Sequence, residues 1–262
     1  MQLNENNYFS PEADQTYFSA SQIKSFKKCE SATMAQLRGD YVRPMSQALL
    51  QGQFVDEALT GDYANWCLSH PEISKRDGNL KAEFMLCQDM VTRAKRDPLF
   101  MEFLDGEHQV ILTAELFGVP FKAKFDVLGP DKIVDLKTVK DLKSQYKPGQ
   151  GRVDFATVWD WPLQMAIYQQ IYKENEGILL PCYLAVITKE TPADIRLVKI
   201  EQERMDAEIA WLKNVLPRYE AIKDGAIDPE RCEDCAWCRQ SRVLTAPETL
   251  NDFDEMGGSD DE

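Results

Sequence analysis

The sequence predicts an α/β domain on a mixed sheet, and three observations predict it. Helical periodicity fills the first hundred residues, three β-rich runs punctuated by turn residues follow from Gln109, and a long helical stretch then precedes two further strands and a last helix. The order reads ααα-βββ-α-ββ-α. The first ten or so residues carry no such pattern and are expected to be unanchored. Ser19-Ala20-Ser21 then offers an N-cap, Ile23, Phe26, Met34 and Leu37 recur near helical spacing, and Gly39 is a stop. One helix is expected over that whole stretch. A second covers SQALLQGQFVDEAL to Thr60-Gly61, and a third covers KAEFMLCQDMVTRAKRD, with Phe84, Cys87, Met90 and Val91 on one face.

QVILTAEL, VPFKAKFDVL and KIVDLKTV read as consecutive strands, because Phe117-Gly118 and Gly129-Pro130-Asp131 are turn signals. SQYKPGQGR reads as a loop. A helix from about Trp161 to Asn175 can turn Leu163, Ala166, Ile167, Gln170 and Ile171 toward one face. LLPCYLAVIT reads as a buried strand, ADIRLVKI as an alternating edge strand, and EQERMDAEIAWLKNVLPRYEAI as the final helix. One domain over 1–242 is expected, with a helical part (20–105), the sheet and its helix (107–200) and a C-terminal helix with cysteines (201–242). An acidic disordered tail at 243–262 would follow.

Composition excludes several classes. At 262 residues, 44% hydrophobic and 28% charged, the chain is neither disordered nor a small disulfide scaffold. No apolar run reaches 18 residues, and the N-terminal stretch lacks the basic flank and apolar run of a signal peptide, so a soluble intracellular protein is expected. Thirty basic against 44 acidic residues give a net charge of −14, which alone argues against nucleic acid. The charge is uneven, however. The stretch from Val243 to the end carries seven acids and no base, whereas 120–152 carries eight bases against four acids.

Asp126 closes an alternating run, and Asp135 and Lys137 lie two apart on the next strand, so both point to one face. Two carboxylates converging beside an ammonium form a site for a hard divalent cation, and the chemistry implied is hydrolysis of a phosphodiester. Taken alone, Asp135-Leu136-Lys137 also reads as an ordinary same-face ion pair. Ile133, Val134 and Leu136 make that strand apolar on both sides, so its charges would be partly buried and need a reason to be there. Gln164 and Tyr168, four apart, share a helix face. Among seven cysteines, Cys67, Cys87 and Cys182 read as core residues, and Cys29 stands alone near the N-terminus. Cys232, Cys235 and Cys238 are spaced tightly enough to bring three sulfurs to one point, as a metal site requires.

In this order the motifs resemble the PD-(D/E)XK nuclease superfamily, and within it the branch of RecB-type, lambda-exonuclease and RecE-like nucleases, including the phage and prophage exodeoxyribonuclease VIII group. FSASQIKSFKKCE, LLQGQFVDEAL, KAKFDVL, KIVDLKTVKDL, the Gln-x-x-x-Tyr helix and RCEDCAWCR all fall in that group's order. The resemblance implies a restriction-endonuclease-like core with helices flanking a mixed sheet, and a cysteine metal-cluster lobe joining the two ends of the chain. It assigns Asp126 and Asp135 as ligands of Mg²⁺ or Mn²⁺, with the carbonyl of Leu136 a third, and Lys137 as the catalytic lysine. Gln164 and Tyr168 would hold the scissile end, and Glu115 would be a ligand through water. Many relatives carry a histidine in an upstream Gly-x-x-x-His motif; here Gly52 is followed by Asp56, a carboxylate that can also bind magnesium. The resemblance further implies a [4Fe–4S] cluster on Cys29, Cys232, Cys235 and Cys238, with structural Zn²⁺ the alternative.

The activity it implies is a metal-dependent exonuclease on duplex DNA ends, 5′→3′, in the cytoplasm of a bacterial host. Such enzymes work in phage recombination beside a single-strand annealing protein, some as ring-shaped homo-oligomers. An endonuclease on the same core and a DNA-end or partner-binding module without cleavage are the other readings.

Overall fold

The computed structural model describes residues 1–147, 149–247 and 250. Seven helices precede the sheet: α1 (Pro11–Thr16), α2 (Ala20–Lys28), α3 (Glu30–Arg38), α4 (Gln47–Thr60), α5 (Tyr63–Ser69), α6 (Ala82–Lys95) and α7 (Pro98–Phe103). Most start on a side chain that accepts a backbone N–H left unpaired by the first turn. Ser10, Ser19, Ser46, Asp62 and Asp97 fill that role. Next come β1 (Glu107–Leu116), β2 (Val119–Leu128) and β3 (Ile133–Val139), then a short hairpin of β4 (Gln145–Lys147) and β5 (Gly151–Val153). The chain closes with α8 (Trp161–Glu176), β6 (Cys182–Thr188), β7 (Ile195–Lys199), α9 (Gln202–Lys223) and α10 (Ala236–Gln240).

The main sheet runs β1-β2-β3-β6-β7. It is mixed as expected: β3 and β6 are parallel, joined by the α8 crossover, and the other pairs are antiparallel. Period-two alternation divides its side chains between two apolar layers. Leu184 and Val186 face a core shared with α2, α8 and α9, whereas Ala185 and Ile187 face one shared with α4, α6 and α7. ADIRLVKI does form the edge strand β7. Among the described residues, no helix is long and apolar enough to cross a membrane.

Three expectations change. The first helix is broken at Cys29, which is extended (φ −166°, ψ 110°) and whose Sγ accepts the Ala32 N–H at 3.4 Å, capping α3. Apolar periodicity persists across a single extended residue, so the sequence pattern hides the break. The N-terminal residues are anchored: Tyr8 and Ala13 are buried, and Phe18 pairs with β2 through Phe18 N–H to Pro120 O (2.9 Å) and Lys122 N–H to Phe18 O (2.8 Å). The loop at 144–152 contains the β4–β5 hairpin, whose three-residue strands are too short to register as alternation. Of the acidic tail, 248–249 and 251–262 lie outside the described residues.

β2 and β3 pair only at Val127–Val134 and Leu128–Ile133, and then splay apart. The split leaves the Leu136 N–H without a strand partner, and Asp126 Oδ2 accepts it at 2.9 Å. A gap between two central strands, closed by a carboxylate, is where the candidate site begins.

Candidate functional site

β3 carries Asp135 and Lys137 into this split, and the two form an ion pair. Asp135 is almost wholly buried. Its Oδ1 accepts a hydrogen bond from Gln164 Nε2 of α8 at 2.9 Å, and Gln164 Oε1 in turn accepts one from Lys24 Nζ of α2 at 2.8 Å. The Lys137 ammonium is in contact with Asp135 Oδ2. Gln53 Oε1 is a buried side-chain oxygen without a hydrogen-bond partner among the described residues. α4 adds Asp56, whose Oδ1 accepts from Thr60 Oγ1 (2.7 Å) and whose Oδ2 accepts from Gln109 Nε2 (3.3 Å). Gln53, Asp56, Asp126, Leu136 and Lys137 line one cavity of about 300 Å³.

Charge in this cavity is unbalanced. Burial, then Asp135 and Asp56, push the Asp126 carboxyl well above the usual carboxylate range. Burial and the charge of Asp135 also raise Asp56, against the Thr60 hydrogen bond and Lys137. Burial pulls the Lys137 ammonium down, but Asp135, Asp126 and Asp56 outweigh it and hold it above its ordinary value. Burial and the like charge of Lys137 lower Lys24 to about 8. Three carboxylates around Lys137, with Gln53 Oε1 unpartnered beside them, are a donor set that a divalent cation would satisfy.

The cavity opens through Ala48, Leu49 and Thr138 into a groove of about 990 Å³. Lys24, Lys28, Arg43, Lys140, Lys143 and Lys189 line it against a single acid, Asp141. A chain with a net charge of −14 thus presents a cationic channel at its buried carboxylates. The basic stretch at 120–152 only partly explains it. Lys122 is buried against Asp14 and Lys147 against Asp160, so Lys140 and Lys143 are what it gives the groove.

At the other end of α2, the Sγ atoms of Cys29, Cys232, Cys235 and Cys238 all lie within 4.8 Å of one another. The Cys29–Cys238 and Cys232–Cys238 separations are 3.6 and 3.9 Å, close to the roughly 3.8 Å edge of a tetrahedron of sulfurs about 2.3 Å from one ion. Burial raises the Cys29 thiol to about 12. At Cys232 the Asp234 and Cys235 N–H groups outweigh burial and lower the thiol to about 7. The surrounding chain is stapled across about 200 positions. Arg218 makes a bidentate pair with Glu30 (2.8 and 2.8 Å), Glu30 Oε2 accepts the Glu230 N–H (2.8 Å), and Trp237 Nε1 donates to Ser31 Oγ (3.0 Å).

Residues 19–241 match the family described as a PDDEXK-like domain of unknown function (DUF3799). The chain belongs to this family. It therefore has the PD-(D/E)XK nuclease fold, with a mixed central sheet flanked by helices and a cysteine lobe where the two ends of the chain meet. It is similar to the crystal structure of a candidate exonuclease from Eubacterium rectale, at 35% identity and a TM-score of 0.93, over 99% of this chain and 100% of that one. No curated protein matches the chain.

Within this PDDEXK-like fold, the structure brings Asp56, Asp126, Asp135, Lys137 and Gln164 together. Tyr168 lies one turn beyond Gln164, its ring 4.9 Å from that of Phe125. Glu115 does not join them. It is exposed and pairs with Pro120, six residues along β2 from Asp126 and so about 20 Å away. Lys24 and Gln109 were missed from sequence. Gln109 lies in the β1–β2 ladder between the His108–Val127 and Val110–Phe125 pairs, and so across from Asp126. Its φ of +56° is left-handed backbone, unusual for a non-glycine residue in a strand, and it turns the amide to Asp56. Gln109 sits in no motif, and Lys24 lies within FSASQIKSFKKCE without a role assigned to it there. The basic face of SQIKSFKK was the available signal for Lys24.

Proposed function

We propose that the protein is a divalent-metal-dependent DNA nuclease that degrades DNA from an end. The observation that carries this reading is a cluster of half-buried Asp56, Asp126 and Lys137 around buried Asp135, opening directly into a groove lined by six basic residues. The groove would hold the phosphate backbone by charge, independent of sequence. Asp126 and Asp135 would hold Mg²⁺ or Mn²⁺, with Asp56 on its third side, and a bound ion would polarise the scissile phosphate and lower the pKa of the attacking water. Lys137, kept protonated by its three carboxylates, would donate to a phosphate oxygen or to the water and fix its direction. Gln164 would keep Asp135 in place from behind, braced by Lys24.

Attack at DNA ends is supported by the likeness to the candidate exonuclease from Eubacterium rectale. The resemblance of the motifs supports duplex ends, 5′→3′ polarity and cooperation with a single-strand annealing protein in phage recombination. The four thiolates would hold the cysteine lobe through a metal. Resemblance favours [4Fe–4S], while the sulfur spacing favours one Zn²⁺, and the iron and sulfide content of the purified protein separates them.

Linear and covalently closed duplex DNA, incubated with Mg²⁺ and wild type or Asp135→Ala, test the reading. Nucleotide release from the linear form by wild type only is the expected result. Cutting of the closed circle would instead make the protein an endonuclease. A folded wild type that releases nothing would leave a DNA-binding module.

A further inference from the structure

We infer that Trp159 is a base-stacking platform, so that the strand approaching the carboxylates does so with an unpaired base laid on the indole; this rests on the nucleic-acid reading of the groove. Trp159 lines the basic groove and is 49% exposed, whereas Trp161, two residues on, is 7% exposed and lies beneath Lys137 Nζ, 5.9 Å from its ring centroid. One tryptophan is therefore part of the wall, and the other is presented to whatever fills the channel. A large exposed aromatic among lysines is unfavourable for an empty groove but suited to a polyanion whose monomers carry flat apolar faces. Phosphates meet the lysines, and a base covers the indole. A paired base within a duplex has both faces stacked already, so the platform selects a frayed or single-stranded end.

The turn that carries Trp159 is held from behind. Asp160, next in the chain, is buried with φ +53° and accepts from both Lys27 Nζ (2.7 Å) and Lys147 Nζ (2.8 Å). Lys147 also donates to Thr157 O at 2.8 Å, tying the β4–β5 hairpin to the turn. Before the turn, Asp154 Oδ1 accepts the Ala156 and Thr157 N–H groups, both at 2.9 Å, and Arg204 pairs with Asp154 Oδ2 at 2.7 Å. A surface held this firmly loses little entropy when a base settles on it.

The test measures binding of a labelled single-stranded oligonucleotide and its abasic counterpart, without added divalent cation, to wild type, Trp159→Phe and Trp159→Ala. Wild type is expected to prefer the normal oligonucleotide by roughly ten-fold and to show quenched tryptophan emission on binding. Trp159→Phe should keep most of the preference but lose the quenching, and Trp159→Ala should lose the preference while retaining the wild-type salt dependence, which comes from the lysines. Equal, salt-sensitive binding of both oligonucleotides by wild type would overturn the platform and leave the groove reading standing. A full preference retained in Trp159→Ala would also overturn it. No binding of either oligonucleotide would overturn the groove reading and the platform together.

Discussion

Two lysine–aspartate pairs, each with one buried partner, look alike in composition and differ in what surrounds them. Lys122 Nζ donates to Asp14 Oδ1 and to the carbonyl of Tyr8, both at 2.6 Å, and lies 4.7 Å from the Tyr8 ring centroid. It binds the N-terminal segment to β2, and one ammonium meets one carboxylate. Lys137 meets Asp135 with Asp126 and Asp56 close behind. The first arrangement is a closed account of donors and acceptors. The second gathers three carboxylates around its ammonium, an imbalance that a cation from outside would offset. An ion pair indicates function when its surroundings leave it unsatisfied, not when it is merely buried.

That contrast is most sharply broken by substitution. Asp135→Ala and Lys137→Ala should each lower nucleotide release by at least about a thousand-fold while leaving the far-ultraviolet circular dichroism unchanged. Lys122→Met should do the reverse, lowering stability by about 1–3 kcal/mol because Asp14 is partly exposed and its lost partner is screened, with turnover per folded molecule intact. Equal loss of turnover in Lys122→Met would erase the distinction between the two pairs.

Next in size is the cysteine lobe. If the four cysteines hold a metal as proposed, Cys29→Ser should lower the metal content, as read by elemental analysis, and the melting temperature by roughly ten degrees, because the ligands would close a loop spanning most of the chain. A metal content equal to wild type would remove Cys29 from the ligand set.

A smaller effect follows from Asp126 and carries a sign. Its carboxyl is raised in the fold by burial, Asp135 and Asp56, so the folded state keeps this proton at pH values where the unfolded chain has lost it. Stability of the metal-free protein should therefore fall as pH rises from the ordinary aspartate value through the raised one. Asp126→Asn should flatten that slope, melt a few degrees higher than wild type at pH 7 without divalent cation, and lack the stabilisation that Mg²⁺ is expected to give wild type. Melting curves between pH 4 and 8 check all three.

The smallest expected change is at Gln109. Glycine there should relieve the left-handed backbone and exceed Gln109→Ala in stability by about 1 kcal/mol, both variants losing the amide to Asp56. Chemical denaturation with the two variants compares them directly.

What the sequence reveals of all this depends on distance along the chain. Asp126, Asp135, Lys137 and the three clustered cysteines lie within short spans, where strand alternation and ligand spacing leave a pattern. The sheet and the long helices have similar signatures. Short α5 and α7 and the three-residue strands β4 and β5 do not complete enough turns or alternations to be seen. Lys24 meets Gln164 across 140 positions, and Gln109 meets Asp56 across 53, contacts made by packing that no local spacing encodes. Glu115 shows the opposite failure. It shares a hairpin with Asp126, but the register puts it at the far end.

On the proposed reading, three carboxylates and Lys137 form a site that a divalent cation would fill. Calorimetric titration of Mn²⁺ into wild type, Asp126→Asn and Asp135→Asn tests it most directly, since the cysteine lobe is chemically unsuited to this hard ion. Saturable binding by wild type that is lost in both variants is the predicted result. Binding that persists in the variants, or a folded wild type that takes up no Mn²⁺ with or without DNA, would contradict it.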